Sequence, residues 1–250
     1  MAREIETLST AFEAGPARRI GLVSLASDET SSDEMRAVLA GPGVAIHETR
    51  IPNSDTITAE SLSAMAEGLT EAASRLPGAV PYDAVAYLCT SAAMLIGSDG
   101  VAARIRAACP GAAVTNPMEA GLAACRALEA RRIALATPYV AEVTERLALT
   151  FEAAGFEVAR AASFFVQSDT RAARISAAAL SDAVTALSPG VDAVFLSCTT
   201  LRTVHHVAAI EARAGVPLVT SNQALAWRIA ALAGVAPRPG AWGALWARTG

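Results

Sequence analysis

A chain of 250 residues that is 53% apolar can bury a full core, as one large α/β domain or as two half-sized ones, without disulfides. Its formal charge of -4 leaves no basic excess, which excludes an electrostatic footprint for nucleic acid or an anionic membrane. The apolar residues come in short runs broken by Asp, Arg, Thr and Gly, so no membrane span is readable, and the expected partner is a small molecule or a second copy of the chain.

The segment from Met1 to Gly15 carries Arg3, Glu4, Glu6 and Glu13 where a secretory signal would be apolar, so a cytoplasmic protein is expected. Beyond it, β-branched apolar runs alternate with Ala-rich helical patterns, which predicts parallel strands covered on both faces. Strands are expected at 20–25 and 45–50, a helix at 59–74, a strand at 84–88, a helix at 101–108, a strand at 112–115 and a helix at 119–127. The second half follows with strand 133–136, helix 140–154, strand 157–164, helix 172–186, strand 193–196, helix 204–214, strand 217–220 and helix 224–232. Gly41-Pro42-Gly43 has no phosphate-loop pattern around it and reads as a turn. The tail from Arg238 to Gly250, with Trp242 and Trp246, is expected to pack on the first lobe or on a partner subunit.

The order of elements repeats. Ala17-Arg18-Arg19-Ile20-Gly21-Leu22 returns as Ala130-Arg131-Arg132-Ile133-Ala134-Leu135. Asp83-Ala84-Val85 followed by Cys89-Thr90 returns as Asp192-Ala193-Val194 followed by Cys198-Thr199, and Val114-Thr115-Asn116 as Val219-Thr220-Ser221. The fold class is therefore α/β with two pseudo-symmetric, doubly wound lobes, each with a four-stranded parallel sheet. The expected lobes are residues 17–125 plus 221–250, and residues 126–220. Ligands of open parallel sheets bind beyond the carboxyl ends of the strands, so the active site is expected in the interlobe cleft.

Cys89 and Cys198 stand at two such ends. Each opens a thiol-hydroxyl-hydroxyl motif, Cys89-Thr90-Ser91 and Cys198-Thr199-Thr200, at an expected strand-to-helix turn. Backbone N–H groups and hydroxyls there can hold a carboxylate, and a helix N-terminus would lower the thiol pKa. Ordinary helix capping explains the hydroxyls of a single copy equally well. With two copies, a thiolate and a thiol can act on opposite faces of one substrate carbon, one removing a proton and the other returning it. Alternatively, one thiolate adds to a double bond while the other thiol quenches the carbanion. Neither route asks for a metal or an organic cofactor, and the cysteines show no zinc spacing. Cys109 and Cys125 read as small buried hydrophobes, so alkylation is expected to favour Cys89 and Cys198. The adjacent His205 and His206 point different ways on a helix and read as surface or packing residues. A ligand-binding module with both thiols merely packed is the alternative outside catalysis.

These paired motifs on a duplicated chain resemble the aspartate/glutamate racemase superfamily, closest to its maleate isomerase and arylmalonate decarboxylase group. The resemblance rests on the two thiol motifs, Ala136-Thr137-Pro138-Tyr139, Ser197 to Leu201, and Gly215-Val216-Pro217-Leu218-Val219-Thr220-Ser221. It implies that Cys198 is the central proton carrier, Cys89 its opposite number, and Tyr139 a hydroxyl that binds or polarises a substrate carboxylate. Decarboxylases of the group carry Gly where this chain has Cys89, which argues against plain decarboxylation. Maleate isomerases place Asn where this chain has Asp28 and Asp169, and an ionised Asp only accepts hydrogen bonds and repels a second carboxylate. The resemblance thus implies a substrate with an ammonium or amidinium group, as in the branch associated with ectoine utilisation. Capping of the following segments is the alternative for both aspartates. The expected protein is a homo-oligomeric isomerase or racemase of a small carboxylic or amino acid, with Asp28, Thr90, Ser91, Tyr139, Asp169, Thr199 and Thr200 around the substrate.

Overall fold

The computed structural model describes residues 5–54, 59–78, 80–166 and 168–248, the side chains of 59–63 excepted. Gln167, two residues before Asp169, lies outside them, as do the ends of the N-terminal segment and of the tail.

Two parallel sheets carry the chain. The first, ordered β2-β1-β3-β4, consists of β1 (Arg18–Leu25), β2 (Val44–Ile51), β3 (Ala84–Tyr87) and β4 (Ala113–Thr115). The second, ordered β6-β5-β7-β8, consists of β5 (Arg132–Thr137), β6 (Glu157–Ser163), β7 (Ala193–Leu196) and β8 (Leu218–Thr220). Ile20 pairs with Ala84 in one sheet and Ile133 with Ala193 in the other, so the sequence repeat is also a repeat of strand register.

The conserved spacing of Asp83 and Asp192 within the repeat has a physical cause. Asp83 accepts the Arg19 backbone N–H at 2.7 Å, and Asp192 accepts those of Arg131 and Arg132 at 2.8 Å. Each carboxylate satisfies backbone donors where the neighbouring strand begins. Those bonds hold the Asp192 carboxyl below its usual range.

Helices α1 (Ser31–Leu39), α2 (Ala59–Ser74), α3 (Thr90–Ile96), α4 (Ser98–Ala108) and α5 (Pro117–Ala127) belong to the first half. The second contains α6 (Ala141–Ala153), α7 (Asp169–Ala172), α8 (Ala177–Leu187), α9 (Val207–Ala214) and α10 (Ser221–Ala233). Two of these had no range among the expected helices, although a helix start after Cys89 was expected. α1 hides behind a polar start but buries Met35, Val38 and Leu39, and α3 begins directly after Cys89. The helix expected at 172–186 is broken in two, because the Ser176 hydroxyl caps a new start at the Ala179 N–H.

α5 and α10 lie side by side between the sheets. α10 packs on β1, β3 and β4, while Gly121 of α5 meets the Phe195 ring of β7, where a Cβ would come within 2.7 Å. The tail closes over α10 and α9. Gln223 donates to the Trp242 carbonyl at 2.8 Å, and the Ala244 N–H donates to Glu211 at 2.9 Å. Among the described residues no helix is long and apolar enough to cross a membrane.

Candidate active site

The repeat delivers Cys89 just past β3 and Cys198 just past β7, both buried. Their local structures differ. Cys89 is extended (φ -147°, ψ 117°) and caps α3, whose first turn is Thr90, Ser91 and Ala92. Cys198 stands at φ 109°, and α9 does not begin until Val207. The expected strand-to-helix turn is therefore real at Cys89 and absent at Cys198. Ala92, Ala93, Met94 and Leu95 favour immediate helix after the first thiol, whereas Thr199, Thr200, Thr203 and Val204 are β-branched. A non-glycine residue at positive φ costs about 1–3 kcal/mol and persists only where its surroundings hold it.

Those surroundings are interlobe hydrogen bonds. The Ser221 hydroxyl, at the start of α10, accepts the Cys198 backbone N–H at 3.0 Å and the Thr90 hydroxyl at 2.8 Å, so one oxygen ties both thiol turns. The Thr199 hydroxyl donates to the Leu88 carbonyl at 3.0 Å, beside Cys89. The Thr200 hydroxyl and backbone N–H act on the Cys198 thiol in the lowering direction, against its burial. The Ser91 hydroxyl lies 3.7 Å from the Cys89 sulfur. Tyr139, past β5, is buried with its hydroxyl 3.1 Å from that of Ser197 and within electrostatic reach of both thiols.

Burial first, with the Asp169 charge adding to it, pushes Cys89 up to about 11 and Cys198 up to about 12. Asp28 adds to Cys89, and Cys89 to Cys198. Both thiols are thus protonated at neutral pH. The expectation of lowered thiol pKa values fails because desolvation outweighs one short helix terminus. Tyr139 is pushed well above its ordinary value, chiefly by burial.

Asp169 enters from the second lobe at the first position of α7, with Ser168 as the actual cap. It meets the first lobe there. The Ser27 hydroxyl donates to Asp169 Oδ2 at 3.0 Å, and Asn53 Nδ2 to the same oxygen at 3.4 Å. Asp28 does cap: it accepts the Thr30 and Ser31 backbone N–H groups at 2.8 and 3.0 Å, and the Ser31 hydroxyl.

Sequence reasoning missed Ser27 and Asn53, and saw Ser197 and Ser221 only as parts of the repeat and of the resemblance motifs, not as site residues. Asn53 had a findable signal, since it lies beyond the carboxyl end of β2, on the ligand side of an open sheet. Cys125 is fully buried as expected. Cys109 is buried as well, at the edge of a cavity of about 310 Å³ with Tyr82 and Pro110. His205 and His206 are exposed, and the described residues contain no cluster of three or more His, Cys, Asp or Glu suited to a metal ion.

Duplicated parallel sheets that each deliver a buried thiol to one seam define a two-lobed α/β protein built around paired cysteines. Residues 52–246 match the family model described as arylmalonate decarboxylase, and the chain belongs to that family. Over 224 residues it is 29% identical to the maleate isomerase of Nocardia farcinica (strain IFM 10152), covering 85% of this chain and 88% of that protein. It is 37% identical over 131 residues to the arylmalonate decarboxylase of Bordetella bronchiseptica, covering 50% of this chain and 55% of that one. A structure of the Nocardia farcinica maleate cis-trans isomerase, a cysteine-to-serine mutant with a covalently bound succinylcysteine intermediate, matches with a TM-score of 0.76 at 27% identity. That match covers 88% of this chain and 97% of the isomerase. The resemblance carried by the thiol motifs is thereby borne out, and the chain is similar throughout to cysteine-dependent enzymes.

Proposed function

We propose that this chain is a cofactor-independent isomerase or racemase that moves a proton on a small carboxylic or amino acid, with Cys89 and Cys198 as its acid/base pair. The observation that carries the reading is the shared Ser221 hydroxyl, which locks the two thiol turns to one another across the lobes. One sulfur, as thiolate, takes the proton from the substrate carbon, and the opposite thiol gives its own proton to the other face. Each turnover leaves the two sulfurs with exchanged protonation states.

Substrate charge favours the thiolate in this scheme. Asp169 adds to the burial that raises both thiols, so an ammonium or amidinium group placed against it offsets that part and, lying beside the sulfurs, itself favours the ionised form. The Thr90 and Thr199 hydroxyls donate to Ser221 and Leu88, which leaves oxygen lone pairs for substrate N–H groups. Ser91, Thr200 and Tyr139 complete the binding shell, with Asp28 acting on Cys89 from its capping position. Nitrogen-bearing acids of the ectoine type fit this shell better than a dicarboxylate. The same reading takes residues 17–125 with 221–250 as one lobe and 126–220 as the other, in a cytosolic homo-oligomer.

A second reading is supported by the succinylcysteine of the Nocardia isomerase: thiolate addition to maleate, protonation of the adjacent carbanion by the other thiol, bond rotation, then reversal. Proton NMR in D₂O with enantiopure 2,4-diaminobutyrate, maleate and phenylmalonate separates the cases. Deuterium at the α-carbon of the diamino acid with loss of optical activity is expected. Fumarate formed from maleate would favour the second reading, CO₂ from phenylmalonate a decarboxylase, and no reaction with any would favour a binding module.

A further inference from the structure

Glu34 lies on α1 in the first lobe, yet its buried carboxylate is spent on the loop that follows Cys198. One oxygen accepts the backbone N–H groups of Thr203 and Val204 at 2.5 and 3.1 Å. The other accepts Asn222 Nδ2 at 2.6 Å and the Thr203 hydroxyl at 3.2 Å. Asn222 Nδ2 is also 2.8 Å from the Thr199 carbonyl and 3.2 Å from that of Leu201, while its Oδ1 is buried without a partner. Asn222 thus holds the peptide after Cys198, as its neighbour Ser221 holds the Cys198 N–H. Both grips come from the first turn of α10.

We propose that Glu34 is a positioning residue for Cys198, acting through Asn222: the ionised carboxylate orients the amide so that its nitrogen grips the Cys198 turn, and protonation releases that grip. A carboxylate can only accept, so it must face Nδ2. A carboxylic acid carries a proton to donate, and the orphaned Asn222 Oδ1 is the acceptor that an amide turn would bring to it. The same turn takes Nδ2 away from Thr199 and Leu201. Without that restraint the positive φ of Cys198 loses support.

Burial pushes Glu34 up to about 7, against the lowering effect of its four donors, so both states are populated near neutral pH. Glu29, Asp33, Arg202, His205 and His206 share with it a cavity of about 360 Å³ that opens to solvent. From α10 only the neutral Asn222 meets the carboxylate, and Arg36 on the β2 side of α1 pairs with Glu48 at 3.9 Å.

The proposal rests on the two-thiol reading, but its test is read on the sulfur itself. Iodoacetamide labelling of Cys198 relative to Cys89 is followed by peptide mass spectrometry from pH 5.5 to 9 in the wild type, E34Q and N222A. The wild-type ratio should fall as pH rises through about 7, as the turn tightens. E34Q, which mimics the acid, should hold the ratio about tenfold higher at pH 8, the scale of one charge-assisted hydrogen bond lost. N222A should likewise lose the inflection, and it decides the matter if E34Q does not fold. Wild-type ratios and pH dependence in a folded variant would overturn the proposal, as would equal acceleration of both thiols. Full activity in C198A would instead sink the two-thiol reading and leave the coupling standing.

Discussion

The two thiol turns share one motif, Cys-Thr followed by a hydroxyl residue, and hold their sulfurs by different means. Cys89 sits in relaxed extended backbone at the head of α3, supported by its own helix. Cys198 sits at positive φ in a turn without a helix, held by Ser221 and Asn222 of α10 and, through Asn222, by Glu34 of α1. Identical strands and near-identical tripeptides therefore do not make identical sites. The residues after the motif and the elements packed against it decide the local structure.

The largest expected effect comes from removing each sulfur. C198A should lose turnover by at least about a hundredfold and C89A similarly, the scale of one general acid or base. The comparison sharpens in D₂O, where C89A should keep deuterium exchange from the Cys198 face without inverting the carbon. Inversion that survives in C89A would show that the second thiol is not needed.

Next in size is the reach of the two aspartates. D169N should speed iodoacetamide labelling of Cys89 and Cys198 together, because its charge raises both, whereas D28N should speed Cys89 alone. Labelling measured at pH 8 that changes at one thiol only in D169N would place its charge in one lobe.

The sheets can be compared through their close-packed glycines. A Cβ at Gly121 meets the Phe195 ring at 2.7 Å, and one at Gly21 meets the end of the Leu76 side chain at 2.8 Å. G121A should cost about 1–3 kcal/mol in urea unfolding, the range for overpacking a core, and G21A less, since a Leu tip moves more easily than a ring.

Two carboxylates act on stability with opposite signs. Glu34 rises from 4.5 to about 7 on folding, so its share of stability is full below 4.5 and is lost as pH rises through 7. Asp192 is lowered from 3.8, so its share is present above 3.8 and is lost as pH falls. Relative to E34Q, the wild type should lose stability between pH 4.5 and 8, and relative to D192N it should lose a little between pH 5 and 2.5. Unfolding curves that are parallel across these ranges would remove either assignment.

Most of the fold was legible because the repeat and the β-branched runs are local signals. All eight strands fall within two residues of their expected ends, and Asp83 and Asp192 mark equivalent strand starts. α1 and the extent of α3 were not read, since a nine-residue and a seven-residue helix offer little periodicity. At the site, the two motifs pointed to the thiols, but not to what holds or tunes them. Ser221, Asn222, Asn53 and Glu34 act over long sequence separations, which no local pattern encodes. The rise of the Cys89 and Cys198 thiols has the same origin, tertiary burial, and burial raises Cys109 and Cys125 too, so iodoacetamide labelling of all four in the free protein measures which is the most accessible.

The central claim is that one thiol from each lobe serves a single site, and a bifunctional thiol reagent tests it without knowledge of the substrate. Dibromobimane with the C109A/C125A protein at pH 9 should yield one bridged product joining the Cys89 and Cys198 peptides, abolished in either C89A or C198A. Two separate mono-adducts, with no bridged peptide at any reagent ratio, would contradict the account.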